Sequence, residues 1–554
     1  MSEINHGEPW NAVTPHIKPA RRPLRGAVVE GPRTNASEKR WDNAPSNSSN
    51  EAAEALASDA PRSHLWIVLS YFIIAFSCQL VLLIPVFGHF RVELRIIPFA
   101  LSMLLAIGAL KERSAWLRLH KSVPYAVIVM CIMVFGLLNQ ETQSLVAGIA
   151  QVVLAAAILS PLLWVGRLRI GVGGFTVIVI CLWAFNATSA GFGVLQILFP
   201  GRFQPATSTV TQDMEDQGIS YNIELADGTT TVRPYGLTDQ PGGAATAGLT
   251  AFVFGLGLLV ATKKLFIRAL YLAGMGMGLF IMYLSQVRVS LVMSGVAIVA
   301  FVVLMALRGE FGRLTGALAA LAVVIIFSTS AAFAIGGSQT RDRFFTLVDE
   351  NPGDVYYANR GHFLDYTFNY VLPEYPVGAG LGRYGMMSHY FDKSSNSGAL
   401  WAEIQWTAWA YDGGWLMVIA YPLAILVALW VSFTIGRKSI YGPVGLWAAI
   451  VTSYNISVIA VTFSYPFFLS QSGLEFWLLN AALFSAAQFY LRGSKSEVPE
   501  GFEVLPAPWR PTLASGESAG SVSGPAPRRR PLGRPRLPAV VPIFDPAGPA
   551  NQKP

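Results

Sequence analysis

The chain has 554 residues, of which 53% are hydrophobic and only 13% charged, with a formal net charge of +7. A soluble domain carries about 25% charged residues, so this balance excludes an ordinary soluble globular enzyme and a wholly disordered chain. A basic surplus suits nucleic acid only if the basic residues share one face.

The first 63 residues are polar, rich in Ser, Asn, Pro and Ala, and contain no apolar core of a cleavable signal. They read as a disordered cytoplasmic segment, with the first apolar run acting as a signal anchor. A polytopic membrane domain is expected over 64–491. Crossing a hydrocarbon layer takes roughly 20 mostly apolar residues. Runs of that kind fall near 65–87, 96–110, 123–138, 144–165, 172–199, 246–262, 265–285, 289–307, 314–335, 414–435, 443–463 and 473–491. The expected fold class is therefore an all-α polytopic membrane protein of about 12 transmembrane helices. A large extracytoplasmic loop precedes the tenth. From 492 to 554 the chain is Pro- and Arg-rich, as in Arg528-Arg529-Arg530-Pro531, and reads as a disordered cytoplasmic tail. Such a tail suits contact with anionic lipid or docking of a cytoplasmic partner.

Lys and Arg are enriched in short cytoplasmic loops. With the N-terminus inside, five short inside connections hold 13 of them, from Lys111 to Lys438. The outside connections hold 10, seven of which lie in the two long loops at 200–245 and 336–413, where the rule is weak. Both termini are thus expected in the cytoplasm. The basic residues follow topology and form no single face, so the sequence gives no case for nucleic acid. Cys78, Cys131 and Cys181 fall in apolar runs and read as packing residues.

The loop at 200–245 is acidic and Thr-rich, and Tyr221–Arg233 alternates around an Asp227-Gly228 turn signal, which predicts a small hairpin. The connection Ser285-Gln286-Val287-Arg288 is among the shortest in the chain. An arginine there either snorkels to headgroups or clamps a phosphate through bidentate bonds. The loop at 336–413 holds Arg360, His362 and the stretch Pro376-Val377-Gly378-Ala379-Gly380-Leu381-Gly382-Arg383. Its glycines either make a tight turn or let the backbone approach a ligand, phosphate included. Trp401 to Trp415 reads as an interfacial helix or aromatic belt, with Glu403 placed to act as a general base near the membrane surface. Walker A, HExxH, CxxC, GxSxG and Asp-x-Asp patterns are absent, and His89, His362 and His389 lack metal-ligand spacing.

Over about Arg233 to Trp415 the chain resembles the O-antigen ligase and Wzy-type O-antigen polymerase superfamily. Three blocks carry the resemblance. Arg233-Pro234-Tyr235-Gly236 is similar to the family's Arg-x-x-Gly segment, and Ser285-Gln286-Val287-Arg288 to its Ser-x-x-Arg block. Arg360 with Pro376 to Gly382 is similar to its Arg…Pro-x-x-Gly-x-Gly signature, and Gly413-Gly414 closes the large loop as in the family. The resemblance implies glycosyl transfer from a glycan on undecaprenyl diphosphate at the periplasmic face of a bacterial inner membrane, without cofactor, nucleotide sugar or metal. It implies diphosphate or glycan binding by Arg288, Arg360, Arg383 and Arg233 with Gly378, Gly380 and Gly382. Ligases carry a His about eleven residues before the closing glycine, where this chain has Trp401-Ala402-Glu403-Ile404. That departure favours a polymerase of lipid-linked repeat units, with Arg288 and Arg360 on the leaving diphosphate and Glu403 as base. Expected partners are the lipid-linked glycan, membrane lipid and other polysaccharide assembly proteins. A ligase using His389 or His362 is the first alternative. A lipid-linked sugar flippase is the second, disfavoured because neither an internal repeat nor a charge deep in a span is evident.

Overall fold

A computed structural model describes residues 62–111, 119–200, 202–204, 222–225, 228, 230–238, 241–349, 351–391, 400–439 and 442–496. The two polar tails fall outside these residues almost entirely, as do Asp213, Glu215, Asp216, Asp227, Asp239 and Lys393.

Each of the twelve apolar runs lies in a helix. In chain order these are α1 (Arg62–Leu82), α2 (Arg91–Lys111), α3 (Val123–Gly136), α4 (Leu145–Leu159) and α5 (Val172–Leu198). A hairpin follows, β1 (Asn222–Glu224) and β2 (Thr230–Val232). Then come α6 (Gly243–Ala261), α7 (Leu265–Leu284), α8 (Arg288–Leu307) and α9 (Phe311–Asp349). Among the described residues 10 helices are long and apolar enough to cross a membrane. The chain is an all-α, multi-pass membrane protein.

Two of the twelve apolar runs fall short of that standard for different reasons. Helix α3 has 14 residues. The last helix, Gln471–Ser496, is long but carries Glu475, Asn480 and Gln488. Its polar character is tolerated because the helix is enclosed by protein. Leu474, Phe476, Trp477 and Leu478 are fully buried, and Asn480 exchanges amide hydrogen bonds of 2.8 and 3.0 Å with Asn455. Buried amides that satisfy each other carry little penalty.

The centre of the bundle is α6 with the helix Pro443–Val461, each 83% buried over its apolar window. Helices α2 and α9, at 17% and 22%, present most of their surface outward. Close helix approach uses small residues where no hydrophobic force separates protein from lipid. At the α6–α7 crossing a Cβ on Gly248 would stand 2.5 Å from the Gly278 carbonyl, and the converse holds for Gly278.

Between α9 and the next long helix the described residues are in part helical. Residues 352–374 form one helical run, α10, in which Tyr357–Gly361 and Thr367–Val371 take π geometry. A short α11 (Gly385–Phe391) follows. Helix α12 (Gln405–Lys438) begins inside the stretch read as interfacial and bends at Gly413 and Gly414. Its first turns are interior: Gln405 and Ala408 are fully buried, and Trp409 is 2% exposed. The aromatic-belt expectation fails there because the connection to the final helix covers this segment, with Phe468 stacked on Trp409. The bundle closes with α13 (Pro443–Val461) and α14 (Gln471–Ser496).

Candidate functional site: an arginine cluster around an Arg–Glu pair

The expected hairpin forms, pairing Asn222 with Val232 and Glu224 with Thr230, and Gly228 takes a φ of 78° in its turn. Arg233 follows β2 directly. The next residues are fixed from below by α5. Gln196 accepts from Gly236 N–H at 2.8 Å and donates to its carbonyl at 2.9 Å, while Ser189 Oγ accepts from Leu237 N–H at 2.9 Å. Gly236 sits at φ 65°, and a Cβ there would lie 2.5 Å from Ser189 Oγ. This explains the glycine in the Arg-x-x-Gly block: it seats the turn, and the turn aims Arg233.

Arg288 opens α8 after a three-residue connection. Gln286, at φ 56°, is the non-glycine residue in left-handed geometry among those described. Its side chain donates to the Glu224 carbonyl of β1 at 3.3 Å, tying the connection to the hairpin. Strain of this kind persists where surrounding structure over-determines it and clusters at functional sites.

Arg288 then donates to Asn359 Oδ1 at 3.2 Å. The next residue, Arg360, makes an ion pair with Glu403. Burial, and after it the like charge of Arg233, push the Arg360 guanidinium below its usual value. Arg233, Arg288 and Arg360 therefore come from three separate segments to one neighbourhood, where Glu403 pairs with Arg360. Arg360 and Glu403 are 36% and 22% exposed, open enough to reach a ligand and sheltered enough to strengthen charge pairing.

Arg360 lies in the first π segment of α10, and π turns inside helices occur frequently at functional sites. The second π segment fully buries Thr367, whose hydroxyl meets that of Thr407 on α12 at 2.6 Å. On the other side, Gln405 N–H donates to the Thr462 carbonyl at 3.0 Å, and Gln405 Oε1 accepts from Phe468 N–H at 2.7 Å. The helix that carries Arg360 and the segment that carries Glu403 are thus pinned to each other and to the bundle.

Other expected site residues have different surroundings. Gly378, Gly380 and Gly382 are buried, with φ of 102°, 92° and 75°. A Cβ at Gly380 would lie 2.3 Å from the Glu141 carbonyl oxygen, and one at Gly382 would lie 2.4 Å from Ala147 C. Close backbone approach is realised here to the protein's own backbone, which gives these glycines a packing role. Arg383 pairs with Glu141 at 3.2 Å and donates to the Ala379 carbonyl at 2.8 Å, holding the same segment. His362 is exposed, its Nδ1 3.3 Å from the Tyr357 carbonyl, and His389 is exposed with its ring edge on Tyr390. Among the described residues no three His, Cys, Asp or Glu side chains gather as metal ligands.

Asn359, which links Arg288 to the Arg360 segment, was not singled out from sequence; its adjacency to Arg360 was the available signal. Asp412 was also passed over, because it lies outside the apolar run 414–435 that defines the tenth expected span. No protein-family model matches the chain, and no curated protein matches it.

Proposed function

We propose that this protein is a membrane glycosyltransferase that polymerises undecaprenyl-diphosphate-linked repeat units. The reading places twelve spans in a bacterial inner membrane, both termini in the cytoplasm, and the arginine cluster on the periplasmic face. The observation that carries it is the Arg360–Glu403 pair, with Arg288 bonded to the adjoining Asn359 and Arg233 near enough to act on Arg360, all from distant parts of the chain. Guanidinium forks match the oxygens of a phosphate anion.

In this reading an acceptor hydroxyl attacks the anomeric carbon of the donor glycan. The new carbon–oxygen bond forms as the bond to the diphosphate breaks, and undecaprenyl diphosphate leaves with the bonding electrons. Arg288 and Arg360 stabilise that departing charge from fixed positions. The hydroxyl proton passes to Glu403. An arriving diphosphate competes with Glu403 for Arg360, so donor binding itself frees the carboxylate to act as base. The Arg360 contact favours Glu403 over His362 and His389 and hence polymerisation over ligation.

The test is lipid-linked glycan length in a strain lacking the protein. Accumulated single repeat units on the outer face support the polymerase. Long lipid-linked chains that never reach an acceptor point to a ligase, and loss of externally exposed units to a flippase.

A further inference from the structure

Beneath the arginine cluster α12 carries a carboxylate in the protein interior. Asp412 is 5% exposed and immediately precedes the bend at Gly413. Its partners are neutral. Tyr384 Oη lies 2.7 Å from Oδ2, and Gln151 Nε2 donates to the two carboxylate oxygens at 3.3 and 3.4 Å. Tyr421, on the same helix, is the other titratable group that senses its charge. Helix α3 contributes Met133, and the α13–α14 connection contributes Phe468 and Leu469 to the same surroundings. Among the described residues no Lys, Arg or His bonds to Asp412.

Hydrogen counting constrains its state. Tyr384 Oη faces two acceptors, Asp412 Oδ2 and the Ala408 carbonyl at 3.3 Å, and receives Gln151 N–H at 3.2 Å. A phenol has one hydrogen to donate. Both contacts are hydrogen bonds only if the second hydrogen sits on Asp412. Charge points the same way, since an ionised carboxylate held by neutral donors in the interior is costly.

Asp412 also borders a cavity of about 20 Å³, shared with Gln405 and Trp409. A single water needs about 10–15 Å³ of such space. Gln405 is fully buried and Trp409 2% exposed, and neither Gln405 Nε2 nor Trp409 Nε1 has an acceptor among the described residues. Two unbonded N–H groups on residues that line one small space favour an oxygen that accepts from them over a cation.

We propose that Asp412 is a proton-binding site, held as a neutral carboxylic acid that donates from Oδ2 to Tyr384, beside one buried water that accepts from Gln405 and Trp409. The proton exchanges through that water. On ionisation the acid hydrogen turns from Tyr384 to the water, which releases its Trp409 N–H bond to take it and passes one of its hydrogens on to solvent, while Tyr384 turns its own hydrogen from Ala408 to the carboxylate. In the neutral state the site joins α4, the segment after Gly382 and the first half of α12. The inference is independent of the proposed glycosyl transfer and stands or falls apart from it.

The experiment is infrared difference spectroscopy of the full-length chain in lipid nanodiscs. The expected result is a carboxylic-acid carbonyl band at neutral pH that shifts in D2O and is missing in Asp412→Asn, with the variant's melting temperature unchanged. Trp409→Phe slows the D2O shift several-fold. Absence of any band sensitive to Asp412→Asn overturns the proton site. A band that Asp412→Asn removes but D2O never shifts overturns the water. If Asp412→Asn does not fold, Tyr384→Phe replaces it: loss of the phenol must move the carbonyl band, and an unmoved band overturns the site.

Discussion

Two Arg–Glu clusters stand at the two ends of α8, about 30 Å apart for a helix of 20 residues. At its C-terminal end Arg308 bonds Glu310 through Nε at 3.1 Å and also through Nη2, and Arg313 bonds the other oxygen at 2.8 Å. All three residues lie within six positions of sequence. The pair is 6% and 15% exposed, and the Arg308 guanidinium fills the place where a Cβ on Gly445 would stand. At the N-terminal end Arg288 belongs to a group drawn from residues 233, 288, 360 and 403, whose Arg360–Glu403 pair is more exposed. The first cluster is local, with a largely buried Arg308 and both carboxylate oxygens occupied, as a structural clamp should be. The second is assembled at long range, and its Arg360–Glu403 pair is more accessible.

That contrast sets the predictions. The largest effect belongs to Arg288→Ala and Arg360→Ala, each expected to lower polymer formation by about 100-fold or more while the protein still inserts. Glycan length in complemented deletion cells measures it, and normal polymer from either variant removes the diphosphate clamp. Glu403→Gln is expected to cost about 100-fold or more in turnover with donor binding retained, the signature of a lost base. A donor-binding assay beside a turnover assay separates the two.

The other cluster should answer in stability. Arg308→Ala leaves the half-buried Glu310 with the exposed Arg313 and is expected to cost about 2 kcal/mol, read as a lower melting temperature in nanodiscs with the turnover of the folded fraction unchanged. Burial alone would raise Glu310, but bonds and charges from Arg308 and then Arg313 outweigh it and hold the carboxyl below its usual value. A depressed carboxyl adds stability above its unfolded pKa and loses it as pH falls through the folded one. Melting temperature should therefore fall on acidification below the ordinary glutamate range, and Glu310→Gln should flatten that slope.

The smallest effect is expected at Arg383. Its partner Glu141 is 53% exposed, so Arg383→Ala should cost about 1 kcal/mol or less and leave polymer length normal. A loss like that of Arg288→Ala would return Arg383 to the diphosphate-binding group.

Much of the fold was legible from apolar runs alone, because a span must satisfy its backbone internally and a helix of about 20 apolar residues does so. The hairpin was legible from alternation and Asp227-Gly228, and the arginines from their place between or beside spans. What could not be read was the identity of the partner at each contact. The glycines of 378–382 announce a close approach, yet nothing in their spacing says that the approach is to Glu141 and Ala147 instead of a ligand. Trp406 and Trp409 have belt composition, but the cover supplied by Phe468 comes from 59 residues beyond Trp409. Asp412 escaped for a related reason: its neighbours Gln151 and Tyr384 are brought to it only by the packing of α4 and the glycine segment.

The π segment at Tyr357–Gly361 has a consequence in angular terms. A π turn holds one residue more than the α-turn it replaces, and one residue of α-helix subtends about 100°. Removing a single residue from this segment would regularise the helix and rotate everything on its N-terminal side by that angle. Since Thr367 remains locked to Thr407, the rotation would fall on the residues leading back to Asn359. The phase between Asn359 and Glu403, and with it the meeting of Arg288 and Arg360, is thus set by the presence of one additional residue in one turn.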